Sequence, residues 1–460
     1  MKTQIKPNTI IAGNALSVLK TLPDNCIDCV MTSPPYWTLR DYGAGAVAIW
    51  NNISGCRHRW VKFESQAARH ARNSLVQQRS KRAARKRQGS HQSAVCSTCS
   101  AWKGQLGLEP TFELYIQHLC AVFDEIRRVL KSSGTCWVNL GDTYAGSWGA
   151  ASHSRNKAKR TGTNQRPPSS FAQSVSRKSL CLIPFRFAIE MMNRNWILRN
   201  VIIWQKPNCL PSSVSDRFTV DFEYLLFFSK TREYYFEPQF EPHHSSTIKR
   251  VRRFMLNNEQ FDPTRHKCDP ETGVCPVSIL RNIAKNGLCP AGRNKRCVWS
   301  IPTQPFLEPH FATFPEALCD VPIRSSCPLF VCGHCGKPFR RMTELNRKSL
   351  ATQSPRAEVA AHSAKRQKYA RQIGNPPMGG PGQKNYGASE YCPSCACGLD
   401  YAPGIVLDPF FGAGTTGLTA LKLGRAFLGI ELNPAYVTIA QSRLSPLLAR
   451  TDSPSAPETS

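Results

Sequence analysis

Nothing in this 460-residue chain is both long enough and apolar enough to cross a bilayer, which takes a run of about 20 residues. The opening MKTQIKPNTIIAG lacks the apolar centre of a secretion signal. A cytoplasmic protein without a membrane partner is the expectation. That location excludes a disulfide framework, since the cytosol keeps thiols reduced, so the twenty cysteines need another use. Acid is scarce as well: 31 Asp and Glu stand against 60 Lys and Arg, a formal charge of +29. Such an excess points to a polyanionic partner, because cationic side chains gathered at phosphates release counterions. A hydrophobic content of 41% excludes a wholly disordered chain.

What is present is an alternation of strand and helix patterns. IIAGNA reads as strand and turn, ALSVLKTLPDN as a helix stopped by Pro23, and IDCVMTSPPYW as a buried strand running into a turn. LYIQHLCAVFDEIRRVL puts Leu119, Val122, Phe123, Ile126 and Leu130 on one helical face; Gly134 is expected to end it before the strand TCWVNLGD. Helix FRFAIEMMNRNW, strands WILRNVIIWQKP and FEYLLFFSK, and a closing GIVLDPFFGAGTT–TGLTALKLG–AFLGIELN series follow. The alternation predicts an α/β fold with a mostly parallel, doubly wound sheet. Basic polar segments near 67–93, 146–179 and 343–389 interrupt it and cannot order by themselves.

Two motifs carry chemistry. In LDPFFGAGTTG, Asp408 stands at a strand tip, and Gly412 and Gly414 open a tight turn into a helix. Glycine there lets backbone approach a ligand closely. Glu431, at the tip of AFLGIELN, is placed to accept hydrogen bonds from both hydroxyls of a ribose. The second motif is Ser33-Pro34-Pro35-Tyr36, at the end of a strand. The prolines fix the backbone and keep their carbonyls as acceptors. A Ser33 hydroxyl and a Pro34 carbonyl can take one hydrogen each from an exocyclic amino group, freeing its lone pair to attack a methyl. Tyr36 offers a face on which an extruded base stacks.

Together these motifs resemble the amino-group DNA methyltransferases of the β arrangement, in which S/D/N-P-P-Y/F/W precedes F-x-G-x-G, as Ser33–Tyr36 precedes Phe411–Gly414 here. The resemblance spans most of the chain, through IAGNALSVLKTLPDN, VNLGDTY, FEYLLFFSK and VWSIPTQPF. It implies a permuted class I S-adenosylmethionine-dependent methyltransferase, a Rossmann-like seven-stranded sheet with the cofactor half last. S-adenosylmethionine would lie over Phe411, Gly412, Gly414 and Thr415, near Asp408, with Glu431 on the ribose. Asn14 would stand near the adenine, where relatives often carry Asp. Serine at the first motif position is commoner in cytosine-N4 enzymes, so cytosine N4 is the expected target and adenine N6 the alternative. Cytosine C5 chemistry needs a cysteine nucleophile, and the chain has no Pro-Cys pair. A zinc-bearing DNA-binding protein without catalysis has no use for an intact SPPY motif, nor has a dinucleotide-dependent oxidoreductase.

The cysteines supply structural zinc candidates. Cys56 and His58 pair with Cys96 and Cys99, and Cys332 and Cys335 with Cys392 and Cys395, Cys397 being the competitor. Short-spaced ligands on two arms suit a tetrahedral site with the intervening chain looped out. Cys26, Cys29, Cys120 and Cys181 read as core. A third set, Cys268, Cys275, Cys289 and Cys297, is too irregular to prefer. The expected plan is a catalytic-motif half at 1–55 and a zinc-pinned basic insertion at 56–104. The sheet continues at 105–236, followed by a target-recognition region at 237–298. The chain returns to the core at 299–328, with a zinc-ribbon insertion at 329–398, the cofactor half at 399–447 and a disordered tail at 448–460. The partners expected are double-stranded DNA, a cognate restriction endonuclease and a second copy in a homodimer.

Overall fold

The chain opens with β1 (Thr9–Ala12), α1 (Ala15–Thr21) and β2 (Ile27–Thr32). All six residues of β2 are buried, as a central strand covered on both faces requires. The computed structural model describes residues 5–39, 42, 46–63, 93–145, 175–176, 178–212, 214–256, 292–304, 314–341, 391–397 and 400–452. Most of the three basic segments and residues 453–460 lie outside these.

Four short strands follow, β3 (Ala48–Trp50), β4 (Trp60–Phe63), β5 (Ser93–Cys96) and β6 (Trp102–Gly104), which form their own sheet in the order β3-β6-β5-β4. Then come α2 (Phe112–Val129), β7 (Leu130–Leu140), α3 (Ile183–Asn193), β8 (Ile197–Gln205) and β9 (Phe222–Ser229). Residues Glu237–Cys297 are a unit of their own. In it β10 (Phe240–Glu241) pairs with β11 (Arg293–Asn294), α4 (Ser245–Leu256) carries the basic run IKRVRRF, and Glu241 bonds Arg293 and Arg296 at 2.9 and 2.7 Å. The main unit resumes with β12 (Val298–Ser300), α5 (Glu316–Ser326), β13 (Val331–Cys332), β14 (Arg340–Arg341), β15 (Tyr391–Cys392) and β16 (Tyr401–Ala402). It closes with β17 (Ile405–Asp408), α6 (Thr415–Lys422), β18 (Ala426–Glu431) and α7 (Pro434–Asp452).

The central sheet runs β1-β18-β17-β2-β7-β9-β8-β12. It is parallel from β1 to β7, while β9 is antiparallel to both its neighbours. Eight strands replace the expected seven, because Val298–Ser300 adds to the edge beside Ile203–Gln205. The last strands of the chain, β17 and β18, lie between β1 and β2, which is the permutation expected. From β17 the chain moves outward to β18, and from β2 it moves the opposite way to β7. The crevice between such strands, at their carboxyl ends, is where ligands bind in open α/β sheets.

Apolar side chains fill both faces of the sheet. One core gathers Leu119, Val122, Phe123 and Ile126 of α2 as the periodicity predicts, and the other gathers Ile323, Leu418 and Ala440 from α5, α6 and α7. Two boundaries differ from expectation. Helix α2 ends at Val129, and Gly134 lies inside β7. A Cβ at Gly134 would sit 2.6 Å from Leu130 and 3.0 Å from the Asp28 carbonyl, so glycine serves packing there and not termination. Helix α7 runs to Asp452, past the point where the tail was expected. Among the described residues no helix is long and apolar enough to cross a membrane.

The turn after β17 depends on one close packing. The Phe411 ring is buried and stacks on Phe427 with centroids 5.4 Å apart. A Cβ at Gly429 would lie 2.5 Å from that ring. Gly429→Ala should therefore destabilise the protein by about 1–3 kcal/mol, as overpacked core substitutions do. Urea unfolding checks this, and an unchanged midpoint would contradict it.

Candidate active site

One cavity of about 340 Å³ opens at the carboxyl ends of β17, β18 and β2, large enough for a small-molecule ligand. Its walls bring together Asn14, Ser33, Pro34, Pro35, Tyr36, Phe411, Gly412, Thr415 and Glu431, residues drawn from both ends of the sequence. Two other expected site residues serve it from behind. Gly414 caps α6 with left-handed backbone (φ 79°), a conformation open to glycine at little cost. Asp408 is buried beneath the floor.

At the cofactor end, the Glu431 carboxylate accepts from the backbone amides of Gly412 and Asn433, both at 2.7 Å. Burial raises its pKa, and those amides oppose the rise. The Asn14 Oδ1 caps α1 by accepting from the Ser17 amide at 3.2 Å, which leaves its Nδ2 hydrogens for a ligand. The Gly412–Glu431 pair at a strand-tip turn is what an adenosyl moiety requires, a carboxylate for the ribose hydroxyls and backbone without a Cβ beside it.

At the other end, the proline turn is held from several sides. The Pro35 carbonyl accepts from the Tyr115 hydroxyl at 2.8 Å, and among the described residues nothing donates to the Pro34 carbonyl. Ser33 Oγ donates to the Tyr36 hydroxyl at 3.3 Å, and Tyr36 donates to Glu223 Oε2 at 2.6 Å. Asn139 Nδ2 bonds both, at 2.7 and 2.8 Å, and Lys206 pairs with the other Glu223 oxygen. Burial pushes the Tyr36 pKa well above its ordinary value and the Glu223 charge adds to that, so Tyr36 stays a neutral donor. Asn139, Lys206 and Glu223 all line the cavity, and none was singled out from sequence. Their only signal is a polar residue in or beside an apolar strand, VNL, WQK and FEY.

The small sheet braces this turn. The Trp37 indole donates to the Glu109 carbonyl at 3.0 Å and Gly107 donates to the Glu109 carboxylate at 2.7 Å. The same carboxylate meets His118 Nδ1 at 3.1 Å. The His118 ring is stacked on Trp50 and Trp102, at 5.0 and 5.4 Å. Those two tryptophans belong to β3 and β6, so the small sheet packs against residues that hold the proline turn.

Two clusters of metal-type ligands stand apart from the cavity. Cys56, His58, Cys96 and Cys99 converge as the spacing predicts, and the other set is Cys332, Cys335, Cys395 and Cys397. Within each, all ligand atoms lie within 4.8 Å of one another, which fits one tetrahedral ion. Cys397, the expected competitor, is one of the second set; the Cys392 side chain, the expected ligand, lies outside the described residues, as do Cys268, Cys275 and Cys289. Cys26 and Cys29 behave as core thiols, pushed up to about 11 by burial.

A family model described as DNA methylase, for N6 and N4 methyltransferases, matches residues 27–329 and 402–442 and so takes in both ends of the cavity. The chain belongs to this DNA methylase family. Among relatives, the type II methyltransferase M.SmaI of Serratia marcescens is 26% identical over 444 residues, covering 96% of this chain and 93% of its own. M.Cfr9I of Citrobacter freundii, also a type II methyltransferase, is 27% identical over 438 residues, 95% of this chain and 87% of its own. The solved structure of PvuII DNA methyltransferase (cytosine-N4-specific) aligns over 97% of this chain and 92% of its own at 14% identity, with a TM-score of 0.42. This DNA methylase therefore transfers a methyl to an amino group of DNA, and the family's methyl donor is S-adenosylmethionine.

Within the methylase site, Asp408 joins the two ends. Its carboxylate accepts from Thr32 Oγ1 at 2.6 Å, Thr416 Oγ1 at 2.8 Å and the Phe410 amide at 3.0 Å. Burial pushes its pKa up to about 6 from an ordinary 3.8, against the pull of those donors. Between these values the folded protein holds a proton that the unfolded chain has lost. Stability from this group is thus present below about 4 and lost as pH rises to about 6. Asp408→Asn, neutral throughout, should gain on the wild type across that interval, as urea unfolding at a series of pH values would read. A difference independent of pH would contradict the assignment.

Proposed function

We propose that this DNA methylase methylates the exocyclic N4 of a cytosine turned out of duplex DNA. The observation that carries the reading is the shared cavity: the proline turn that suits an amino group and the glycine turn that suits the methyl donor open into one space. S-adenosylmethionine, when bound, supplies an electrophilic methyl on its sulfonium. Glu431 would hold the ribose, the Gly412 backbone would border the ligand, and Asn14 Nδ2 would offer its hydrogens to the adenine.

At the base end the chain of donors decides what Ser33 does. Its proton is committed to Tyr36, and the Tyr36 proton to Glu223. The Ser33 lone pairs therefore remain to accept one amino hydrogen, and the Pro34 carbonyl accepts the other. Acceptors out of the base plane favour a pyramidal nitrogen with its lone pair free for in-line attack, a gain of positioning and not of basicity. After transfer, the nitrogen gives its extra proton to Ser33 Oγ as the Ser33 proton passes to Tyr36 and the Tyr36 proton to Glu223. The neutral serine supports cytosine N4 over adenine N6, the first position being aspartate more often in adenine enzymes.

The unit Glu237–Cys297 fits target recognition, since its sequence carries the basic runs IKRVRRF and RNKR, residue types suited to phosphate contacts. The two ligand clusters fit structural zinc, each closing an insertion at its base. The type II relatives support a cognate restriction endonuclease acting beside this methylase.

Nucleoside mass spectrometry of DNA incubated with labelled S-adenosylmethionine tests the reading. Label in N4-methylcytosine is expected, and Ser33→Ala should lower the rate about 100-fold or more, as loss of a transition-state hydrogen-bond partner does. Label confined to N6-methyladenine would overturn the base assignment. Elemental analysis should find zinc at two per chain, one for each cluster, falling by one in Cys96→Ser. Purified protein without zinc would contradict the metal reading.

A further inference from the structure

We propose that the hairpin between β8 and β9 is a wedge that enters the DNA duplex, Phe218 stacking in the gap left by the extruded base. The proposal rests on the extruded-base reading and adds to it the residue that replaces the base. Among the described residues the two most exposed large apolar side chains are on this hairpin: Phe218 is 96% exposed and Leu210 82%. Val214 and Val220 of the same hairpin are exposed too, and apolar surface gathered on one element in this way marks an interaction site.

The hairpin is otherwise tied down. Lys206 N donates to the Asp221 carbonyl at 2.7 Å across its foot, and Ser212 N to Thr219 Oγ1 at 3.3 Å higher up. At the tip, the Arg217 guanidinium lies 3.6 Å from the Tyr144 ring centre and Lys178 pairs with Asp216 at 2.6 Å. Neighbours on both sides of Phe218 are fixed while its ring meets only solvent. The foot is part of the catalytic cavity. Lys206 and Glu223 line it, and so does Thr303, whose amide donates to Asn208 Oδ1 at 2.9 Å and whose carbonyl accepts from Asn208 Nδ2 at 3.0 Å. The bare ring is therefore carried by the wall that receives the base.

The occupant is duplex DNA, given the family and the charge of +29. Taking a base out of the stack costs free energy, least where the base is already mispaired. Apolar side chains inserted between base steps hold such distortions, and an aromatic ring restores stacking with the bases on either side.

Single-turnover methylation of an oligonucleotide duplex carrying the mapped target sequence tests this, alongside measurements of duplex binding. Phe218→Ala should slow transfer to the paired target on the order of tenfold. The same variant should regain the wild-type rate on a duplex whose target base is mispaired, and Phe218→Trp should keep the wild-type rate on both. An unchanged Phe218→Ala rate on the paired target, or an equal deficit on both duplexes, overturns the wedge while the base reading stands on the active wild type. A wild type that methylates neither duplex overturns both.

Discussion

Thr32 and Asp408 lie 376 residues apart, and the hydrogen bond between them at 2.6 Å fastens one half of the active site to the other. Thr32 directly precedes the proline turn, and Thr416, the other hydroxyl on Asp408, lies in the helix that follows the glycine turn. The carboxylate is therefore shared between the strand that leads into the proline turn and the helix that follows the glycine turn. Because it is fully buried, its placement is costly unless all its donors are in place. That requirement fixes the relative position of two motifs which share no stretch of sequence, and positioning of this kind is the main resource of an enzyme that has no strong base at its centre.

The sheet makes this clasp available. Placing β17 beside β2 brings the ends of both strands to one crevice, and the permuted chain order has no effect on what meets there. A second constraint reaches the proline turn from the opposite side. The small sheet supplies Trp50 and Trp102 against His118, His118 engages Glu109, and Glu109 engages Trp37 and Gly107. A cysteine–histidine cluster lies at the turn between β5 and β6 of that sheet. The small sheet thus packs against residues that hold the proline turn.

How much of this was legible in the sequence follows from the range of the interactions. The strand and helix periodicities, the proline turn, the glycine turn and the first ligand cluster are local patterns, and the structure places them where the patterns put them. Glu223 and Lys206 became legible only when β8 and β9 paired antiparallel and brought Gln205 opposite Phe222. Asp408 was expected near the cofactor, and the two threonines that bond it there come from other elements, which no local pattern shows. Gly134 resembled a helix stop by position, though the space it leaves is needed by Leu130. In the second cluster Cys395 and the competitor Cys397 stand with Cys332 and Cys335, while the Cys392 side chain lies outside the described residues.

The central claim is that one cavity has two separable ends, one for the methyl donor and one for the amino group. Equilibrium binding of labelled S-adenosylmethionine to Glu431→Ala and Ser33→Ala addresses it most directly, with methyl transfer to DNA measured on the same preparations. The structure predicts that Glu431→Ala loses the cofactor, while Ser33→Ala binds it as the wild type does and fails to transfer. Cofactor bound normally by Glu431→Ala, or lost equally by Ser33→Ala, would contradict it.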